Sequence, residues 1–175
     1  MCTGTYHGST YNVPVHNVRC NIVTMADLIP DEHLLAWRTL LNAQAALVRA
    51  IEDALSAAGL PPFSWYDVLW PLHRERRPMR MGELSDSVVA IGRTGLTRLV
   101  DRLEAAGMIT REPAPGDRRG VQVRITKEGT QLLRRMWPVY AGVLRERFVA
   151  ILSPDAALGL ADTLGRLTSA AVVAP

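Results

Sequence analysis

The 175-residue chain is 48% hydrophobic, enough for one domain with a sizeable core, or for one compact domain plus a helical dimerisation region. No apolar run approaches the roughly 18 residues of a membrane span, and no basic n-region with an apolar stretch marks a signal peptide. The net charge of +3 is unevenly spread: residues 74–127 hold twelve Lys and Arg against seven acids, while 25–73 hold two Arg against six acids. A central cationic block is the footprint expected of phosphate contact.

Residues 1–24 are polar and aperiodic and read as a disordered tail. The change of character beyond them makes Met25 the expected start of the protein. Cys2 and Cys20, both in this tail, form no Cys-x-x-Cys pattern. They fit a reducing cytoplasm.

Asp31 after Pro30 is an expected N-cap, with Glu32 in the first turn. Leu34, Leu35, Trp37, Leu40, Leu41, Ala45, Leu47, Val48, Ile51 and Leu55 then keep a helical period to about Ala58. A helix this long with a broad apolar face needs a partner surface, supplied partly within the chain and partly by a second subunit. Gly59, Leu60, Pro61 and Pro62 stop it. Ser64 then caps a short helix over about Trp65–Arg74, with Trp65, Val68, Leu69 and Leu72 as candidates for burial and Pro71 as a kink or early end. Arg74, Arg76, Arg77 and Arg80 read as a solvated connecting loop.

The stretch from Met81 to Thr126 organises the chain. A first helix over about Met81–Ala90 buries Leu84 and Val88, and a turn near Ile91 and Gly92 leads into a second helix. Leu96, Leu99, Val100 and Leu103 give the second helix one buried face. Thr94, Thr97, Arg98, Asp101 and Arg102 fall mostly off that face, where Thr and Arg can reach phosphates and base edges. Gly107 ends the helix as a C′ glycine. Met108–Glu112 then reads as a short strand, residues 113–117 as a turn, and Val121, Val123 and Ile125 as the inward face of a second strand. Asp117, Arg118 and Arg119 occupy the hairpin tip, from which an arginine can enter a minor groove beside the helix's major groove.

Thr126 caps the next helix, whose stripe runs from Leu132 to Leu152 across a kinking Pro138. Ser153 and Pro154 open a last helix with Leu158, Ala161, Leu164 and Leu167 on its apolar face. The expected fold is mostly α with a small β-hairpin wing: a winged helix-turn-helix flanked by long dimerisation helices. Its parts are residues 25–60 and 127–175 for dimerisation and 61–126 for the DNA-binding lobe.

The runs GLTRLVDRLEAAGMI (Gly95 to Ile109) and DRRGVQVRIT (Asp117 to Thr126) resemble the MarR family of bacterial transcriptional regulators. The second fits that family's Asp-x-Arg wing signature, with Ile125 where a Leu is usual. The resemblance spans roughly Asp31 to Ala171. It implies that Arg119 is the wing arginine, pre-oriented by an ion pair with Asp117. Gly92 stands where the family often has a Ser at the start of the recognition helix, leaving Thr94 or free helix N–H groups for phosphate. The resemblance also implies small, often aromatic, ligands between the dimerisation helices and the DNA-binding lobe. Trp37, Trp65, Asp67, Trp70 and His73 would line that pocket, with Asp67 or His73 as polar anchor; the competing reading is that they are core.

No Gly-rich phosphate loop, Gly-x-Ser-x-Gly or His-Glu-x-x-His motif is present, and the four histidines are scattered, so neither catalysis nor a metal or other cofactor is expected. The expected activity is a homodimeric repressor that binds a pseudo-palindromic double-stranded operator and is released by a small molecule. The alternative is a winged-helix protein-interaction module that does not bind DNA specifically.

Overall fold

The computed structural model describes residues 29–88, 93–114 and 116–173, without the side chains of 93–94, 117–119 and 170–173. The tail, Met25 and Gly92 lie outside the described residues. The chain divides into two compact units, Met1–Asn42 and Ala43–Pro175.

Helix α1, Asp31–Ala57, runs through the boundary. Its part in the first unit leaves Leu35 68% and Trp37 58% exposed, with Leu41 also exposed. In the second unit Ile51 and Leu55 are buried and Ala45, Leu47 and Val48 half-buried, so among the described residues the stripe is covered towards its C-terminal end.

In the second unit α2, Phe63–Glu75, is the hub, packing against α3, α4, β3 and α5. It starts one residue before the expected cap. Pro62 is the N-cap, Ser64 lies inside the helix, and the Phe63 N–H donates to the Glu52 carboxylate of α1 at 3.0 Å. A carboxylate eleven residues upstream therefore does what Ser64 was expected to do. Tyr66, Val68, Leu69 and Leu72 are buried, whereas Trp65 is only half-buried against the core. Pro71 lies inside the helix and does not end it; α2 continues to Glu75 and closes on Arg76 at φ 54.

The expected connecting loop contains a strand. Met79–Arg80 form β1, pairing antiparallel with β3 (Met79 with Val123, Arg80 with Gln122). Met79 is buried, and the expected two-stranded hairpin is a three-stranded sheet in the order β1-β3-β2. Helix α3, Met81–Ser87, is three residues shorter than its pattern suggested, because Val88 has extended dihedrals. Glu83 sits at its start, accepting from the Arg80 N–H at 2.9 Å and pairing with Arg77 at 3.1 Å. The hydrogen bond from Arg77 holds the Glu83 carboxyl below the usual carboxylate range.

Helix α4, Arg93–Ala105, is followed by β2, Ile109–Ala114, and β3, Asp117–Ile125. The turn is shorter than expected, because Ala114 already pairs with Asp117. Gly116 takes φ +76, a left-handed value that suits glycine. Pro113 is accommodated because β2 is an edge strand. Val123 is fully buried, but Val121 is 42% exposed, lying beyond the core opposite Pro113.

Helix α5, Lys127–Leu144, is capped by Thr126, whose hydroxyl accepts from the Gly129 N–H at 3.0 Å. A π-helical turn, Arg145–Val149, follows. Helix α6, Pro154–Val173, opens on the expected Ser153 cap, with Ala156 N–H donating to it at 3.3 Å. The chain bends by 98° between 127–149 and 154–169, and no single described helix is long and apolar enough to cross a membrane.

One core joins Leu55, Val68, Leu69, Leu72, Leu84, Leu96, Leu99, Val100, Leu103, Val123, Leu132 and Met136. Each fully buried leucine contributes about 1.5–3 kcal/mol of transfer free energy. Leu158 at 70% exposed and Leu167 at 58% are outside it, together with Val149 and Ile151.

Candidate nucleic-acid interface

The sequence of α4 fixes its orientation. Leu96, Leu99, Val100 and Leu103 are each 2% exposed or less, so the stripe is anchored in the core. The helix ends in a Schellman arrangement. Met108 N–H donates to the Leu103 carbonyl at 2.9 Å and Gly107 N–H to the Glu104 carbonyl at 2.8 Å, with Gly107 at φ +74.

The opposite face carries Thr97, Arg98, Asp101 and Arg102, all exposed. Arg98 and Arg102 are four residues apart and therefore neighbours on the helix surface. Among the described residues no carboxylate pairs with either. Thr94 belongs to the first turn of the same helix, its side chain outside the described set.

Asp101 is engaged from another element. Arg111 of β2 places one guanidinium nitrogen on Asp101 and another on Glu104, and its backbone N–H donates to Glu104 at 3.3 Å. Partial desolvation works against the Arg111 cation, but the two carboxylates outweigh it and its pKa is raised. Helical and strand periodicity alone do not single out this arginine. The signal was present: Arg111 shares the inward strand face with Ile109, where a cation requires an acidic partner.

The wing places Asp117, Arg118 and Arg119 at the start of β3, directly after the turn. Two consecutive pairs, Pro113 with Val121 and Ala114 with Asp117, bracket a register shift. Arg118, Arg119 and Gly120 thus stand on β3 opposite no residue of β2. An extra segment of this kind re-aims side chains locally. The expected ion pair of Asp117 with Arg119 lies outside the described residues.

The five residues expected to line a ligand pocket are brought together in part. Trp70 and His73 are in contact, ring centroids 6.3 Å apart. Asp67 is half-buried, and its charge is felt at Tyr140, whose pKa burial raises first and Asp67 raises further. Trp65 packs on the core, and Trp37 belongs to the first unit. Around Trp70 the structure adds residues that the reading left out of the site. Tyr66 stacks on Trp70 at 6.1 Å, Trp137 of α5 stacks on Trp70 at 6.5 Å, and Tyr140 lies 5.0 Å from Tyr66. Burial pushes the Tyr66 hydroxyl up to about 12. His73 also borders a groove of about 250 Å³ with Leu72, Arg76, Arg77, Arg124 and Ile125.

Chemically, the α4 face offers hydroxyl and guanidinium donors on a rigid helix, suited to phosphates and base edges. Among the described residues no group of His, Cys, Asp and Glu could hold a metal ion.

Known proteins are similar to this chain in sequence and fold. A profile of the MarR family matches residues 59–120. The HTH-type transcriptional regulator PecS of Dickeya dadantii is 34% identical over 124 residues, 70% of this chain and 72% of that protein. Transcriptional repressor MprA of Escherichia coli is 26% identical over 126 residues, 72% of this chain and 71% of that protein. A MarR family transcriptional regulator from Streptomyces coelicolor, solved in complex with DNA, superimposes with a TM-score of 0.72 at 29% identity, covering 83% of this chain and 94% of that one. With its buried-leucine recognition helix, three-stranded wing and this degree of identity to PecS, the chain belongs to the MarR family of winged helix-turn-helix transcriptional regulators.

Proposed function

We propose that this protein is a homodimeric repressor that binds a pseudo-palindromic double-stranded operator and is released by a small-molecule effector. The observation that carries the reading is the outward face of α4. Thr97, Arg98 and Arg102 are exposed on a helix whose other side is locked into the core. Among the described residues neither arginine is consumed by an ion pair. Thr94 extends that face, and Asp117, Arg118 and Arg119 supply the wing contacts, with Arg119 in the minor groove. That the Streptomyces relative was solved in complex with DNA supports DNA binding by this fold.

Dimerisation is supported by apolar surface that each unit leaves uncovered: Leu35 and Trp37 in the first, Ile151, Leu158 and Leu167 in the second. Regions 25–60 and 127–175 would hold two copies of the lobe 61–126 about one helical turn apart on the operator. The effector would bind among Trp65, Asp67, Trp70 and His73, with Asp67 or His73 as its polar anchor. It would favour a dimer whose recognition helices no longer match the groove spacing.

The test is a fluorescence-anisotropy titration against the gene's own upstream DNA at two salt concentrations, with a random duplex as control. Tight, salt-sensitive binding that prefers the upstream DNA is expected. A flat salt response would overturn the reading in favour of a protein-interaction module.

A further inference from the structure

We propose that Arg111 is a positioning residue for DNA binding: by engaging Asp101 together with Glu104, it keeps the Asp101 carboxylate off Arg98 and screens it from the phosphates that approach α4. The proposal rests on the DNA-binding reading above.

Asp101 is a liability where it stands. It lies between Arg98 and Arg102 on the outward face of α4, and its side chain is 57% exposed. A carboxylate there repels the DNA backbone. It also sits three residues after Arg98, the spacing at which opposite charges pair along a helix. Glu104 lies three residues further on, so the two acids repel each other as well. Left to the helix alone, Asp101 would draw Arg98 into a local pair.

The structure resolves this conflict from the strand side. Arg111 is the most enclosed of the three, its side chain 27% exposed, and its planar guanidinium spans both acids. Glu104 is bound doubly, to the guanidinium and to the Arg111 backbone N–H, which fastens α4 to the wing strand. Asp101 receives a single guanidinium nitrogen and contributes nothing to that backbone fastening. The two carboxylates therefore have separable tasks: Glu104 holds the strand, and Asp101 is the charge being occupied.

The test is a double-mutant cycle on Asp101 and Arg111 in the full-length protein. Titrations use a random duplex at low salt, where phosphate contact dominates and no operator is needed. D101N alone should change affinity less than about threefold, since its charge is already occupied. R111M should bind about tenfold more weakly, with a salt slope reduced by about one. Adding D101N to R111M should restore affinity to within about threefold of the unsubstituted protein, although an amide cannot rebuild the lost strand contact. R111Q replaces R111M in the cycle if the methionine variant does not fold. Equal effects of D101N in both backgrounds, or undiminished binding by the Arg111 variant, overturn the inference while the DNA-binding reading stands. Failure of the unsubstituted protein to bind any duplex overturns both.

Discussion

The Thr126 hydroxyl donates to the Gly107 carbonyl at 2.8 Å, nineteen residues away in sequence. The same oxygen accepts from Gly129 N–H, and the Thr126 backbone N–H donates to the Met108 carbonyl at 3.0 Å. One residue thus caps α5 and ties it to the end of the recognition helix. Thr126→Ala should cost about 1–2 kcal/mol, and Thr126→Ser much less because it keeps the hydroxyl. Urea unfolding of both variants checks this, and equal midpoints would remove the hydroxyl's role.

Gly129 makes a sharper prediction. A Cβ there would meet the Met108 carbonyl oxygen and the Ile125 side chain at distances no real contact allows. Alanine's helix advantage should therefore be outweighed, and Gly129→Ala should destabilise by about 1–3 kcal/mol. Gly142, also in α5, has no foreign atom within 4 Å of the same position. Gly142→Ala should stabilise by about 0.5–1 kcal/mol. Thermal unfolding of the two alanine variants side by side should give shifts of opposite sign.

For DNA contact, Arg98→Ala and Arg102→Ala should each reduce the salt slope of binding by about 0.9. Arg119→Ala should weaken operator binding by about 1–3 kcal/mol while the dimer survives. Anisotropy at fixed salt reads the last effect, and an unchanged dissociation constant would remove Arg119 from the interface.

Surface exposure gives the oligomer prediction. Leu158 and Leu167 are exposed on α6, so Leu158→Glu and Leu167→Glu together should separate the proposed dimer without perturbing the core. Light scattering should show the mass falling from two chains to one. An unchanged mass would place the interface elsewhere.

Alkaline pH provides a further check through Tyr66, whose hydroxyl is pushed from 10.0 to about 12 by burial first and Tyr140 second. A folded pKa above the unfolded one means the neutral phenol favours the fold. That stability is complete below pH 10 and is lost as pH rises towards 12. The shift corresponds to roughly 3 kcal/mol at most. Tyr66→Phe should flatten this part of the stability profile, measured by urea unfolding at pH 9 to 12. A profile unaltered by the substitution would contradict the assignment.

What could be read from the chain follows the range of the interactions. The α4 stripe, the Gly107 stop and the Thr126 and Ser153 caps are local patterns, and all appear in the structure. Strand β1 was missed because two residues carry no periodicity; only pairing with Val123 defines it. The α2 cap was misassigned because Glu52 reaches Phe63 through space from another helix. Arg111 was passed over for the same reason, its acids lying seven and ten positions upstream. The stripes of α1 and α6 were correctly read as apolar, but periodicity cannot say whether a single chain covers them.

The register shift in the wing separates two kinds of sequence change. Below it, Ile109 to Pro113 pair residue for residue with Val121 to Ile125, so deleting one residue there would turn Val123 out of the core. Above it, Arg118, Arg119 and Gly120 stand opposite no residue of β2, so no β2 register there must be kept. Insertions and deletions at the tip leave the pairing at the root intact. With the tip in the proposed minor-groove role, operator preference would drift between descendants of this sequence by changes in tip length as well as in residue type, while the fold beneath is inherited unaltered.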